Sequence, residues 1–244
     1  MLSVQRLGEH AGWARTTSMA ALAIVAISHG TAFAGGFADC PQFFVHSPPA
    51  ITGFGKLREL CFSEFAVLHS GETKTPIYVA QRLNSQALED GHYLKRSNRF
   101  YPEARLPAAE RSDLQDFKNS GWSRGHMAPA GDMATAEGKA QSFSLANVVP
   151  QDALHNSGAW SKIEQDTRRY VRRAKGYVFI ITGPLFDGAS QRIGPDGVLV
   201  PTGIFKMVND PIARKCWVHI HQNDFNQQAV APQPCSNFLN NFTQ

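Results

Sequence analysis

The stretch Ser123-Arg124-Gly125-His126-Met127-Ala128-Pro129-Ala130-Gly131-Asp132 restricts this chain more than any other. Pro129 has no amide hydrogen and its ring obstructs the preceding helical turn, so no regular helix continues through the segment. Gly125 frees the backbone beside His126. The histidine is therefore expected on a rigid, shaped turn, in company with a guanidinium and a carboxylate. Such a turn would mount a catalytic base well. A single histidine between glycine and proline is more often an ordinary loop residue, so the residues that follow have to decide.

Those residues form a polar, amide-rich series: Asn147, Gln151, Asn156, Trp160, Glu164 and Arg168. Residues 143–149 read as a strand ended by Pro150, which would deliver Asn147 and Gln151 toward the centre. From about Asn156 to Lys175 runs the strongest helical pattern in the chain. Asn156, Trp160, Glu164 and Arg168 recur every four residues and would form one ridge, beside a core stripe of Ile163, Thr167, Tyr170, Val171 and Ala174. Taken alone, Glu164 and Arg168 are a surface ion pair contributing about 0.3–0.5 kcal/mol.

The rest of the pattern is mostly β. Apolar runs at 65–68 and 77–80 flank a turn and predict a strand pair, and further strands are expected at 177–181, 198–200, 204–208 and 217–220, with a turn at Gly194-Pro195-Asp196-Gly197. Short helices are expected near 110–117 and 134–140. His219 and His221 alternate on one strand and read as polar sheet surface. Lys95, Arg96, Arg99 and Arg105 sit close together in a polar stretch that reads mainly as a solvated loop.

The N-terminus carries Arg6 and Arg15, an apolar run from Met19 to Ile27 and Ala32-Phe33-Ala34, the pattern of a secretory signal peptide. Residues 1–34 are accordingly set apart from a single domain at 35–244, located in the periplasm or secreted. The apolar run is too short to span a bilayer, so no membrane association is expected once it is removed. Cys40, Cys61, Cys216 and Cys235 are an even number in an oxidising compartment, which implies two disulfides. Of the three pairings, the sequence-local one, Cys40 with Cys61 and Cys216 with Cys235, is favoured. The net charge of +4 is weak evidence for a polyanionic partner.

Three blocks, Arg124-Gly125-His126-Met127-Ala128-Pro129, then Asn147-Val148-Val149-Pro150-Gln151, then Asn156-Ser157-Gly158-Ala159-Trp160 with Glu164, resemble the non-specific DNA/RNA endonucleases of the ββα-metal superfamily in order and spacing. The likeness covers roughly residues 65–210 and is dense from 121 to 168. One departure is Ser123, where the family usually has Asp before Arg-Gly-His. The resemblance implies an α+β fold, a central antiparallel β-sheet flanked by helices with a ββα-metal (His-Me finger) site.

It also implies roles. His126 would be the general base, Asn156 the direct ligand of Mg²⁺ (or Mn²⁺), and Glu164 the carboxylate holding metal-bound waters. Arg124, Arg168 and Arg96 would contact phosphate, with Arg99 as the alternative to Arg96, and Asn147 would position the metal-site segment. An imidazole of ordinary pKa is mostly neutral at working pH, as a base must be. One amide oxygen plus several waters suits Mg²⁺, a hard ion that dehydrates reluctantly, and suits zinc poorly. The expected activity is sequence-independent hydrolysis of DNA and RNA to 5′-phosphate ends, and the resemblance admits a homodimer and an inhibitor protein as partners. The rival expectation is an exported nucleic-acid-binding or uptake protein without catalysis, which Ser123 keeps open.

Overall fold

The computed structural model describes residues 36–225, 231–236 and 238, all within one compact unit. The expected leader at residues 1–34 lies outside the described residues. Among those described, seven strands form one antiparallel sheet in the order β1 (Leu57–Cys61), β2 (Phe65–Ser70), β3 (Thr75–Leu83), then β6 (Val178–Leu185), β9 (Gly203–Asp210), β10 (Lys215–Gln222) and β11 (Gln233–Pro234). The strands missing from that order form two small ribbons: β4 (Ser123–His126) with β5 (Val148–Gln151), and β7 (Arg192–Ile193) with β8 (Val198–Leu199) around the Gly194–Gly197 turn.

The central strands are buried on both faces, which is why β2 and β3 read as continuous apolar runs. One face packs Phe65, Val67, Val79 and Ile204 against Met127, Val149, Trp160 and Ile163. The other packs Ala66, Tyr78 and Phe205 against Phe37, Phe43 and Phe44, in 3-10 turns just after Gly36. The helices thus lie on one face, and the opposite face is covered by short turns. Each large side chain buried here contributes about 1.5–3 kcal/mol. The disulfides Cys40–Cys61 and Cys216–Cys235 are the expected sequence-local pairs. The first ties the covering turns to β1; the second ties β10 to the segment after β11.

The helices are short and individually capped: α1 (Ser85–Asp90) by Asn84, α2 (Leu114–Phe117) by an Asp113–Asp116 capping box, and α3 (Ala136–Gln141) by Thr135. The long helix expected from 156 is three pieces: α4 (Ala153–His155), a π-helical turn at Asn156–Trp160, and α5 (Ser161–Val171). Asp152 accepts from the His155 amide and fixes where this helical segment begins.

Three local expectations are corrected. His126 is the last residue of β4, so the turn begins after it. Residues 143–147 are not strand, because Leu145–Asn147 closes a 3-10 turn before β5 starts at Val148. Trp160 leaves the expected ridge: the π turn rotates it fully into the core beneath the sheet.

Candidate active site

β4, β5 and the α4–α5 segment make a ββα unit, and its parts surround a cavity of about 460 Å³. His126 lines it from the strand end, Asn156 and Ser157 from the π turn, Ser161, Glu164 and Arg168 from α5, and Arg96 from the polar stretch before β4. Residues scattered over more than seventy positions of sequence thus meet at one opening. Arg124 and Asn147 do not line this cavity. Arg124 lines an adjacent one, shared with Arg96, Phe100 and Trp122.

Close approach explains the glycines of the first block. A Cβ on Gly125 would lie 2.0 Å from Gln151 Oε1 across the β4–β5 ribbon, and one on Gly131 would lie 3.2 Å from Arg168 Nη1. Asn147 is fully buried and holds the loop after His126 from within. Its Oδ1 accepts from the Ala128 amide at 2.8 Å, and its Nδ2 donates to the carbonyls of Ala128 at 2.9 Å and Ser142 at 2.8 Å. The residue grouped with the catalytic set is by geometry a clamp.

His126 packs edge-on against Phe143 and is tilted against Phe100, and its Nε2 is buried with no hydrogen-bond partner among the described residues. Burial, then the charges of Arg96 and Arg124, push its imidazole down to about 3. It is neutral, with a lone pair to offer. Burial pushes the Glu164 carboxyl up to about 7, opposed by Lys206 and Arg168 and reinforced by Asp132. Arg168 donates to Asp132 Oδ1 at 2.8 Å, which fixes the guanidinium at the rim.

The serine that departs from the family pattern has a defined place. Ser123 Oγ donates to the Gln151 carbonyl at 2.7 Å and accepts from Asn156 Nδ2 at 3.3 Å. With its single proton directed to Gln151, the hydroxyl can only accept from Asn156, which leaves the Asn156 amide oxygen for the cavity. Asn156 and Glu164 are hard oxygen donors, and no group of three His, Cys, Asp or Glu able to cage a metal occurs among the described residues. That donor set fits an ion that keeps most of its waters, as Mg²⁺ does.

The basic stretch divides. Arg96 reaches both cavities; Arg105 is tied to Glu103 and stacks on Phe62; Arg99 is exposed and lines neither cavity. Three participants escaped the sequence reading. Asp132 lay in the first block without a role. Ser123 looked only like a loss. Lys206 is buried between Ile204 and Val208 on β9, donates to Thr182 Oγ1 at 2.8 Å and lies over the Trp160 ring. A lysine breaking the apolar alternation of β9 was the available signal for the last.

The α+β sheet and its ββα site define a ββα-metal nuclease fold, and a solved structure described as the EndoG/EndoGI complex shares it with a TM-score of 0.69 at 21% identity, covering 82% of this chain and 86% of that one. The chain belongs to the DNA/RNA non-specific endonuclease family, which matches residues 47–239. It is similar to mitochondrial Nuclease EXOG of Danio rerio, 36% identical over 146 residues (55% of this chain, 42% of the relative). The human Nuclease EXOG is 32% identical over 159 residues (61% and 43%), and mitochondrial Endonuclease G of Bos taurus is 31% identical over 159 residues (60% and 52%). The chain spans less than half the length of the two EXOG relatives. These relatives overturn the expectation of a periplasmic or secreted protein, because the EXOG proteins and Nuclease 1 of Schizosaccharomyces pombe carry mitochondrial names.

Proposed function

We propose that the chain is a Mg²⁺-dependent endonuclease hydrolysing phosphodiester bonds of DNA and RNA without sequence preference, with residues 35–244 acting as one catalytic domain. The observation that carries this reading is the single cavity lined by His126, Asn156, Glu164, Arg168 and Arg96. Mn²⁺ would serve in place of Mg²⁺.

His126 accepts the proton of the attacking water. Its depressed basicity has a built-in remedy: after burial, Arg96 and Arg124 hold it down, and both would be neutralised by the phosphates they bind. Arg96, Arg124 and Arg168 present planar donor forks to phosphoryl oxygens, and Asp132 keeps Arg168 aimed. The Asn156 amide oxygen and the Glu164 carboxylate, the latter through water, would hold Mg²⁺, and Ser123 fixes the rotamer of the first. When bound, the ion supplies charge relief at the phosphate and an acidified water for the leaving oxygen. The products are a 5′-phosphate and a 3′-hydroxyl. Likeness to EndoG, solved with EndoGI, supports an inhibitor protein as a further partner.

The test is cleavage of supercoiled plasmid and total RNA with Mg²⁺ or EDTA, alongside His126→Ala. Degradation of both substrates only with metal, and a loss of several orders of magnitude in the variant, is expected. Binding without cutting under any divalent metal would instead establish the non-catalytic nucleic-acid-binding reading.

A further inference from the structure

A groove of about 650 Å³ lies beyond Trp122, walled by the segment after β6, the approach to β9 and the end of β10. It is continuous with the site. Arg96 is common to the catalytic cavity and the Arg124 cavity, and Trp122 is common to the Arg124 cavity and this groove. Trp122 also directly precedes Ser123, whose hydroxyl holds Asn156. The groove is braced to the ββα unit through Asn223, which donates to the carbonyls of Pro150 and Pro201 and accepts from the Asp152 amide.

The chemistry changes along this track. The Arg124 cavity is cationic, with Arg96, Lys118 and Arg124. No lysine or arginine lines the groove, which carries Asp187 and Asp224 instead, so it is unsuited to a phosphate. Its walls include the aromatic rings of Trp122 and Phe186. His221 lines it too, only 2% exposed, and neither ring nitrogen has a hydrogen-bond partner among the described residues. A neutral imidazole offers one donor and one acceptor, and both left unmade in a buried position are costly. The missing ligand is therefore flat, apolar on its faces and equipped with a donor and an acceptor at its edge.

We propose that this groove is a nucleobase subsite, taking one unpaired base of a strand whose backbone follows Arg96 and Arg124, with Trp122 as the stacking wall and His221 as the edge-reading group. The proposal rests on the nuclease reading and adds to it: a base must leave its stack to enter, so single-stranded or frayed substrate is favoured over closed duplex.

Two measurements on the full chain test it. In the first, AMP and ribose 5-phosphate are titrated by calorimetry without metal. AMP is expected to bind roughly tenfold tighter or better, and Trp122→Leu and His221→Leu, checked for folding by circular dichroism, are each expected to abolish the difference. In the second, single-stranded oligonucleotides with one abasic position are scanned past the cleavage point. KM should rise about tenfold at one offset, with kcat little changed. Equal binding of AMP and ribose 5-phosphate would overturn the proposal, as would base-dependent binding that survives in both variants, since the base would then sit elsewhere. A flat abasic scan with cleavage intact would overturn the subsite and leave the nuclease standing. Base-dependent binding, lost in both variants, by a chain that never cleaves would do the reverse.

Discussion

Asn147→Ala separates a clamp from a catalyst. The substitution removes the partner of the Ala128 amide, of the Ala128 carbonyl and of the Ser142 carbonyl, bonds of 2.8, 2.9 and 2.8 Å between buried groups. A buried polar group left unmade costs about 1–3 kcal/mol. Allowing partial relaxation, the three together amount to roughly 3–6 kcal/mol, a large share of the ~5–15 kcal/mol that holds a domain together. For a domain of this size each kcal/mol lowers Tm by about 2–4 °C, so a fall of roughly 6–12 °C is the least expected. The loop that follows His126 should loosen with it, so cleavage falls even below the new Tm. Asn147→Asp, which keeps the acceptor and loses both donors, should be destabilised as well. Thermal unfolding by circular dichroism, paired with plasmid cleavage at a temperature where each variant is folded, provides the readout. Unfolding within about 1 kcal/mol of the parent, with activity abolished, would refute the clamp and return Asn147 to the reacting groups.

Two further outcomes follow from the geometry. Ser123→Ala frees the Asn156 amide, and the Mg²⁺ concentration for half-maximal cleavage should rise about tenfold with folding nearly unchanged; an unaltered metal requirement would show that Ser123 does not orient Asn156. His69 is fully buried, with Nε2 at 2.8 Å from the Glu110 carbonyl, and burial pushes its imidazole down to about 4. The unfolded chain therefore binds the extra proton, so this contribution is intact above pH 6.5 and is lost as pH falls toward 4, about 2 kcal/mol by pH 5. Urea unfolding at pH 8 and pH 5 should show a smaller acid loss in His69→Gln than in the parent; equal losses would show that His69 is not the titrating group.

The legible parts of the molecule were those set by local chemistry. Alternation and continuous apolar runs gave away β2, β3, β6, β9 and β10, and the Gly194–Gly197 turn was readable from its own residues. β1 was not, because Leu57-Arg58-Glu59-Leu60-Cys61 is an edge strand without clean alternation. His219 and His221 were misread as sheet surface, since nothing local shows that the ββα unit lies over that part of β10: His221 is buried against His155 and Trp160. Of the site, the sequence blocks named His126, Asn156, Glu164, Arg168 and Arg96, and the cavity brings those five together.

By itself the sequence determined what the backbone can do at each point and which functional groups are present. Pro129 and Gly125 shape the chain around His126, and the order of the three blocks carries the family. The position of each group relative to the others was decided only by tertiary structure, because contacts between distant segments depend on how many residues fit in each turn and which face meets the sheet. One π turn sends Trp160 into the core while Asn156 and Glu164 stay at the cavity. One hydroxyl, packed between Gln151 and Asn156, makes Ser123 a holder of the site where its identity alone suggested a defect. Burial, which exists only once the chain has folded, pushes the Glu164 carboxyl up to about 7 and the His126 imidazole down to about 3.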